Sequence, residues 1–136
     1  MMSIFFRMGD YLMETTDKSL DKWREDLENI LEYYANLPYR YGDIKSSVII
    51  SSDGFADPGT GYRNHFMLVH EGWENRRRVY GTIAHAQICD GKIWIHYDDI
   101  EDGITNELVN AGVPKDKIVL AFHPPEIHEH TGYAVA

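Results

Sequence analysis

Arg76-Arg77-Arg78-Val79-Tyr80-Gly81-Thr82-Ile83-Ala84-His85-Ala86-Gln87-Ile88-Cys89-Asp90-Gly91-Lys92-Ile93-Trp94-Ile95-His96-Tyr97-Asp98 is the stretch that decides the fold. Two runs rich in β-branched and aromatic residues flank Asp90-Gly91, and Asp-Gly is the pair a two-residue type I′ turn favours, because both central residues need positive φ. The hairpin register follows from that turn. Cys89 opposes Lys92, Gln87 opposes Trp94 and His85 opposes His96, while on the reverse side Ile88 meets Ile93 and Ala86 meets Ile95. A second two-residue turn at Glu74-Asn75 would set Phe66 opposite Ile83 and His70 opposite Val79, on the side of His85 and Trp94. Apolar residues then stand on both sides of the sheet, and a single helix cannot cover both.

Upstream, Ile44, Val48 and Ile50 alternate with Lys45, Ser47 and Ser51, the pattern of a half-buried strand, and Asp53 to Gly61 reads as a long loop rich in Gly, Asp and Pro. Before the Tyr41-Gly42-Asp43 turn, Leu20, Trp23, Leu27, Ile30, Leu31 and Tyr34 recur at three- and four-residue spacing, which predicts an amphipathic helix capped by Asp17 and ending before Pro38. Lys22, Arg24, Glu25, Asp26, Glu28 and Glu32 fall on its polar side. Downstream, Asp102, Ile104, Leu108 and Ala111 predict a second helix stopped by Gly112, followed by a short strand at Ile118-Val119-Leu120 and a tail from His123. The expected fold is α+β: an N-terminal helix, an antiparallel meander of about four strands, a second helix and a short C-terminal strand, in two layers. Residues 1–15 read as a flexible leader and 16–136 as one domain.

Thirteen Lys and Arg against twenty-two Asp and Glu leave a net charge of −9, which disfavours approach to a phosphate backbone, so direct nucleic-acid binding is not expected. The acidity is concentrated late: residues 43–89 hold five bases and five acids, whereas 90–136 hold three bases and nine acids. The one cysteine, Cys89, excludes an internal disulfide and a thiolate cage. With no signal-peptide or bilayer-length apolar run, a cytoplasmic, membrane-free protein is expected.

His85 and His96, opposed on neighbouring strands, are the most specific geometry, but two imidazoles without a third committed ligand predict a polar cross-strand pair rather than a metal site. Their strand face is also where a small enzyme or ligand-binding function would have to sit. His123, His128 and His130 lie in a tail whose last two histidines would share a face if extended. Asp98-Asp99-Ile100-Glu101-Asp102-Gly103 fails the calcium-loop pattern at Ile100 and reads as acidic residues leading into a helix. Arg76, Arg77 and Arg78 are the only basic run, at a hairpin tip, too few for strong phosphate binding and suited to an acidic or protein partner. No nucleotide, hydrolase or zinc-protease motif occurs, and nothing pairs Cys89 with a base, so no catalytic residues, cofactor or metal are expected.

Leu68-Val69-His70-Glu71-Gly72-Trp73, Arg77-Arg78-Val79-Tyr80-Gly81, Asp90-Gly91-Lys92-Ile93-Trp94-Ile95, Asn106-Glu107-Leu108-Val109-Asn110-Ala111-Gly112-Val113-Pro114, Ile118-Val119-Leu120-Ala121-Phe122-His123-Pro124-Pro125 and the closing Thr131-Gly132-Tyr133-Ala134-Val135-Ala136 together resemble the XisI family, the fdxN-element excision controlling factors of cyanobacteria. The resemblance runs in order over about residues 18–136, with His96 where the family has Gln or another polar residue and His128 where it has Arg. It implies a non-enzymatic regulatory or adaptor role in programmed excision of a DNA element during heterocyst differentiation, with strand exchange done by a separate recombinase. It also implies an XisH-type, nuclease-like protein as partner. Because so much apolar sheet surface rarely stays bare, a homodimer or hetero-complex is expected, with Trp73, Trp94, Arg76, Arg77, Arg78 and the tail residues His123, His128 and His130 at the contact.

Overall fold

The computed structural model of the protein describes residues 17–38, 42–52 and 63–136. The leader and the Asp53 to Gly61 loop of the sequence reading lie outside the described residues. The elements are helix α1 (Asp17–Ala35), strands β1 (Asp43–Ser52), β2 (Arg63–Glu74), β3 (Arg77–Cys89) and β4 (Lys92–Asp98), helix α2 (Ile104–Asn110) and strand β5 (Ile118–Leu120). The spatial order is β1-β2-β3-β4-β5, and the first four strands form the antiparallel meander. β5 lies parallel to β4, which is why a helix must separate them in the chain.

The Asp90-Gly91 hairpin has the expected register from Cys89↔Lys92 to Ala86↔Ile95, with Asp90 and Gly91 at φ 53 and 73. Beyond it the sequence reading needs correction, because a β-bulge makes His96 the extra residue and pairs His85 with Tyr97. The other hairpin turns at Asn75-Arg76, one residue later than the pattern suggests, closing on Glu74↔Arg77 with Asn75 at φ 58. A second bulge, at Ile83, then separates Val69↔Thr82 from Leu68↔Ala84. Phe66 therefore pairs with Ala86 and His70 with Gly81. The turn shift moves the register by two residues and keeps each side chain on its face, whereas the one-residue bulge at Ile83 transfers Phe66 and Leu68 from the Trp94 side to the side of Ile93 and Ile95.

The result is one dry face. A row of Ile50, Phe66, Ala86, Ile95 and Leu120 crosses all five strands. Leu27, Leu31 and Trp23 of α1 and Ile104 and Leu108 of α2 pack over it. Phe66, Leu27, Leu31, Ile93, Ile95 and Leu108 are fully buried, and each such side chain contributes about 1.5–3 kcal/mol of transfer free energy. Arg24 departs from the expected polar side of α1: it is buried, its guanidinium donating to Asn64 Oδ1 on β2 at 3.0 Å and to Asp21 at 2.9 Å. That reach is possible because the long stem spans from helix to sheet while its charge stays bonded.

α2 begins at Ile104 rather than Asp102, after Gly103, which has no side chain to cap it. Asp98 at the end of β4 takes that task, with Oδ2 accepting from Ile104 N at 2.8 Å and Oδ1 from Ile100 N at 3.2 Å. The helix stops as predicted at Gly112, at φ 103, with Gly112 N donating to Val109 O and Val113 N to Leu108 O, both at 3.0 Å.

Candidate functional site

The opposite face of the sheet is covered by neither helix. Its side chains come from alternate positions of five strands: Asp43, Lys45, Ser47, Ile49 and Ser51 of β1; His65, Met67, Val69, Glu71 and Trp73 of β2; Arg78, Tyr80, Thr82, His85, Gln87 and Cys89 of β3; Lys92, Trp94, His96 and Tyr97 of β4; and the buried Val119 of β5. Large apolar groups here are open to solvent: Ile49 at 47%, Trp73 at 52%, Tyr97 at 48% and Tyr80 at 75%.

At the hairpin tip, the Arg78 guanidinium lies 5.5 Å from the Trp73 ring centre and 5.7 Å from that of Tyr80, and donates to Glu71 at 2.9 Å. Arg77 is held by Glu74 at 2.6 Å, and Arg76 is exposed in the turn. The three arginines thus do not form one basic claw. Two are already paired with carboxylates, and Arg78 serves to hold two aromatic rings in a platform.

At the other end, His65 Nδ1 and His85 Nε2 are 3.0 Å apart, the His85 and His96 rings are 4.9 Å apart, and His96 Nε2 donates to Gln87 Oε1 at 2.8 Å. One nitrogen of the His65–His85 contact must be bare to accept, so at least one of these rings is neutral. Burial above all, then the neighbouring imidazoles His96 and His65, holds His85 below the ordinary histidine range; burial and then His65 do the same to His96. The environment of His85 and His96 favours their uncharged form. Among the described residues no group of three or more His, Cys, Asp or Glu converges as a metal site. His65, Met67, Tyr80 and Tyr97 were not legible as members of this face, because their side depends on the bulges at Ile83 and His96. Trp94 sits in it, half-buried, with Nε1 donating to Cys89 O at 3.2 Å.

The tail lies apart from this platform. Residues Pro125–His130 form a 3-10 helix, not an extended segment, so His128 and His130 do not share a face. His128 is 5% exposed, its ring nitrogens 2.7 Å from Val135 O and 2.9 Å from His123 O. It ties the tail together from within. His123 is half-buried against Phe122, and His130 is exposed beside Glu129. Ala134 forms a bridge with Val119, at the outer edge of β5.

A family model described as XisI protein matches residues 17–135. The chain belongs to the XisI family. A solved XisI-like protein from Anabaena variabilis ATCC 29413 shares 31% identity at a TM-score of 0.73, the match covering 86% of this chain and 99% of that one. A second structure, the fdxN element excision controlling factor XisI of the same organism, shares 29% identity at a TM-score of 0.66, covering 86% and 98%. None of the curated proteins matches. In this XisI-family chain two adjoining grooves on the helix side share Tyr34, Leu37 and Glu101 in their linings. There the Tyr34 hydroxyl donates to Glu107 at 2.6 Å, a bond that raises its pKa well above the ordinary tyrosine value and ties α1 to α2. Among the described residues no helix is long and apolar enough to cross a membrane.

Proposed function

We propose that this XisI-family chain is a non-enzymatic, cytoplasmic adaptor that controls excision of a DNA element through protein contacts, with an XisH-type protein as its partner. The observation that carries this reading is the uncovered sheet face with its Arg78-braced Trp73 and Tyr80 platform. Aromatic residues and arginine are the groups that protein interfaces favour, and a polar rim around apolar centres is their usual anatomy. The solved relative described as an fdxN element excision controlling factor supports the process. The catalytic step of excision belongs, in this reading, to a separate recombinase.

A direct DNA-binding role is disfavoured by the pairing of Arg77 with Glu74 and of Arg78 with Glu71 on a chain of net charge −9. Two of the three arginines of the run would have to release a carboxylate before contacting phosphate, and three contacts are few. The test is a tagged chain expressed in a cyanobacterial host: capture of an XisH-type protein by wild type, and its loss on Trp73→Ala with Arg78→Glu, is the expected result. Salt-sensitive retention on DNA by the isolated chain at low ionic strength, abolished by the same variant, would instead make it a DNA-binding accessory factor.

A further inference from the structure

The helix side of the molecule holds a feature that the adaptor reading does not use, at the C-terminal end of α1. We propose that the groove between α1, α2 and the turn that precedes α2 binds a small organic ammonium ion with an apolar stem.

The groove has a charged mouth. It encloses about 630 Å³, with Tyr33, Tyr34 and Leu37 on one side and the carboxylates of Glu101, Asp102 and Glu107 on the other. That size lies within the range of small-molecule sites. Elsewhere the acids of this chain have bases beside them: Asp26 has Lys22, Asp21 has Arg24, Glu71 has Arg78 and Glu74 has Arg77. Glu101, Asp102 and Glu107 form no ion pair with any described residue, and no described Lys, Arg or His lines the groove. The negative end of the α1 dipole adds to the same field, because the last turn of that helix carries no base. Tyr34 registers the result. Its bond to Glu107 above all, then burial and the charges of Glu107 and Asp102, push its hydroxyl pKa up. A cleft lined by one sign of charge concentrates the opposite ion.

The lining also selects the kind of cation. Among the described residues no three His, Cys, Asp or Glu side chains converge tightly enough to hold a metal ion. The Tyr33 and Tyr34 rings stand 5.1 Å apart at 87°, and Tyr33 is 61% exposed, so aromatic faces are open to an ammonium group beside the carboxylates. The adjoining groove, of about 320 Å³, shares Tyr34, Leu37 and Glu101 with the first and continues over Leu68, Ile83 and Ile100. An ammonium group held at Glu101 can therefore lay an aliphatic stem on an apolar floor. Charge at one end and hydrocarbon at the other are both needed: a neutral alcohol forgoes the carboxylates, and a carboxylate ligand is repelled by them.

An amide NMR titration of the full chain with hexylammonium chloride tests this, with hexanol and sodium hexanoate as the neutral and anionic counterparts. Hexylammonium is expected to give saturable shifts centred on Tyr33, Tyr34, Leu37 and Glu101, and the two counterparts to bind about tenfold more weakly or not at all. Glu101→Gln with Asp102→Asn, both exposed and so compatible with the fold, should weaken hexylammonium by about tenfold. Glu126→Gln with Glu129→Gln, which removes two acids of the tail, should leave its affinity unchanged. The absence of saturable shifts overturns the proposal, as does hexanol binding as tightly as hexylammonium. Shifts scattered over the acidic surface, weakened equally by the tail variant and the groove variant, would overturn it too, since they would report attraction to the net charge of −9 rather than a site.

Discussion

The two faces of the sheet are built from the same strands by simple alternation, yet they solve different problems. Phe66 and Leu68 are only 0% and 1% exposed, and Met67, between them, looks out from the other side beside His85. The covered face is nearly uniform in chemistry: aliphatic and aromatic groups, with a buried guanidinium, Arg24, bonded to Asn64 and Asp21. The open face mixes rings, imidazoles, hydroxyls and charged groups of both signs. Uniformity is what a dry core requires, whereas a mixed face is suited to a partner that must be recognised and released.

The comparison breaks most visibly at Phe66. Phe66→Ala should lower unfolding free energy by about 3–5 kcal/mol in urea titrations, while Tyr80→Ser, 75% exposed on the other face, should stay within ~0.5 kcal/mol of wild type. Equal losses would mean that the open face is part of the core. Next in size is Asp98→Ala, expected to cost about 1–2 kcal/mol because Ile104 N and Ile100 N lose their acceptor at the start of α2. An unchanged midpoint would show that water caps the helix as well as the carboxylate does.

Histidine titration sharpens the contrast further. The ordinary histidine value is 6.5, and His85 and His96 lie below it in the folded chain. The unfolded chain thus takes up protons first, so the stability these rings contribute is complete above about 6.5 and is lost as pH falls towards their folded values. Thermal midpoints of the chain should fall between pH 7 and 5, and His85→Gln should flatten that fall; a slope that His85→Gln leaves untouched would place the responsible groups elsewhere. The smallest effect concerns metal: Zn²⁺ in modest excess should raise the melting temperature by no more than a few degrees. A large rise removed by His85→Ala or His96→Ala would reveal a formed site.

Asp90-Gly91 made its hairpin readable because its residue types match the backbone the turn imposes, and α1 was readable from Leu27, Leu31 and Tyr34 for the same reason of strict period. Glu74-Asn75-Arg76 holds no glycine to mark the turn, and the bulges at Ile83 and His96 ask for no special residue, so the register beyond them was hidden. This slip concealed His65 and Met67 as neighbours of His85, and it assigned Phe66 to the wrong face. The direction of β5 was likewise unreadable, since Ile118–Leu120 is three buried residues with no alternation to interpret. His128 was read as a surface group because its carbonyl partners, Val135 and His123, meet it only once the tail has folded.

The account rests on the open face being the contact surface, and oxidative footprinting of the chain within a complex purified from its host tests that most directly. Trp73, Tyr80 and Tyr97 are 52%, 75% and 48% exposed in the chain alone, and Tyr33 and Phe122, 61% and 48% exposed elsewhere on the surface, serve as matched references. The account predicts that labelling of Trp73, Tyr80, Tyr97 and the neighbouring Met67 drops in the complex while Tyr33 and Phe122 keep the rate of the isolated chain. Protection of Tyr33 or Phe122, with the open-face residues still fully labelled, would contradict it.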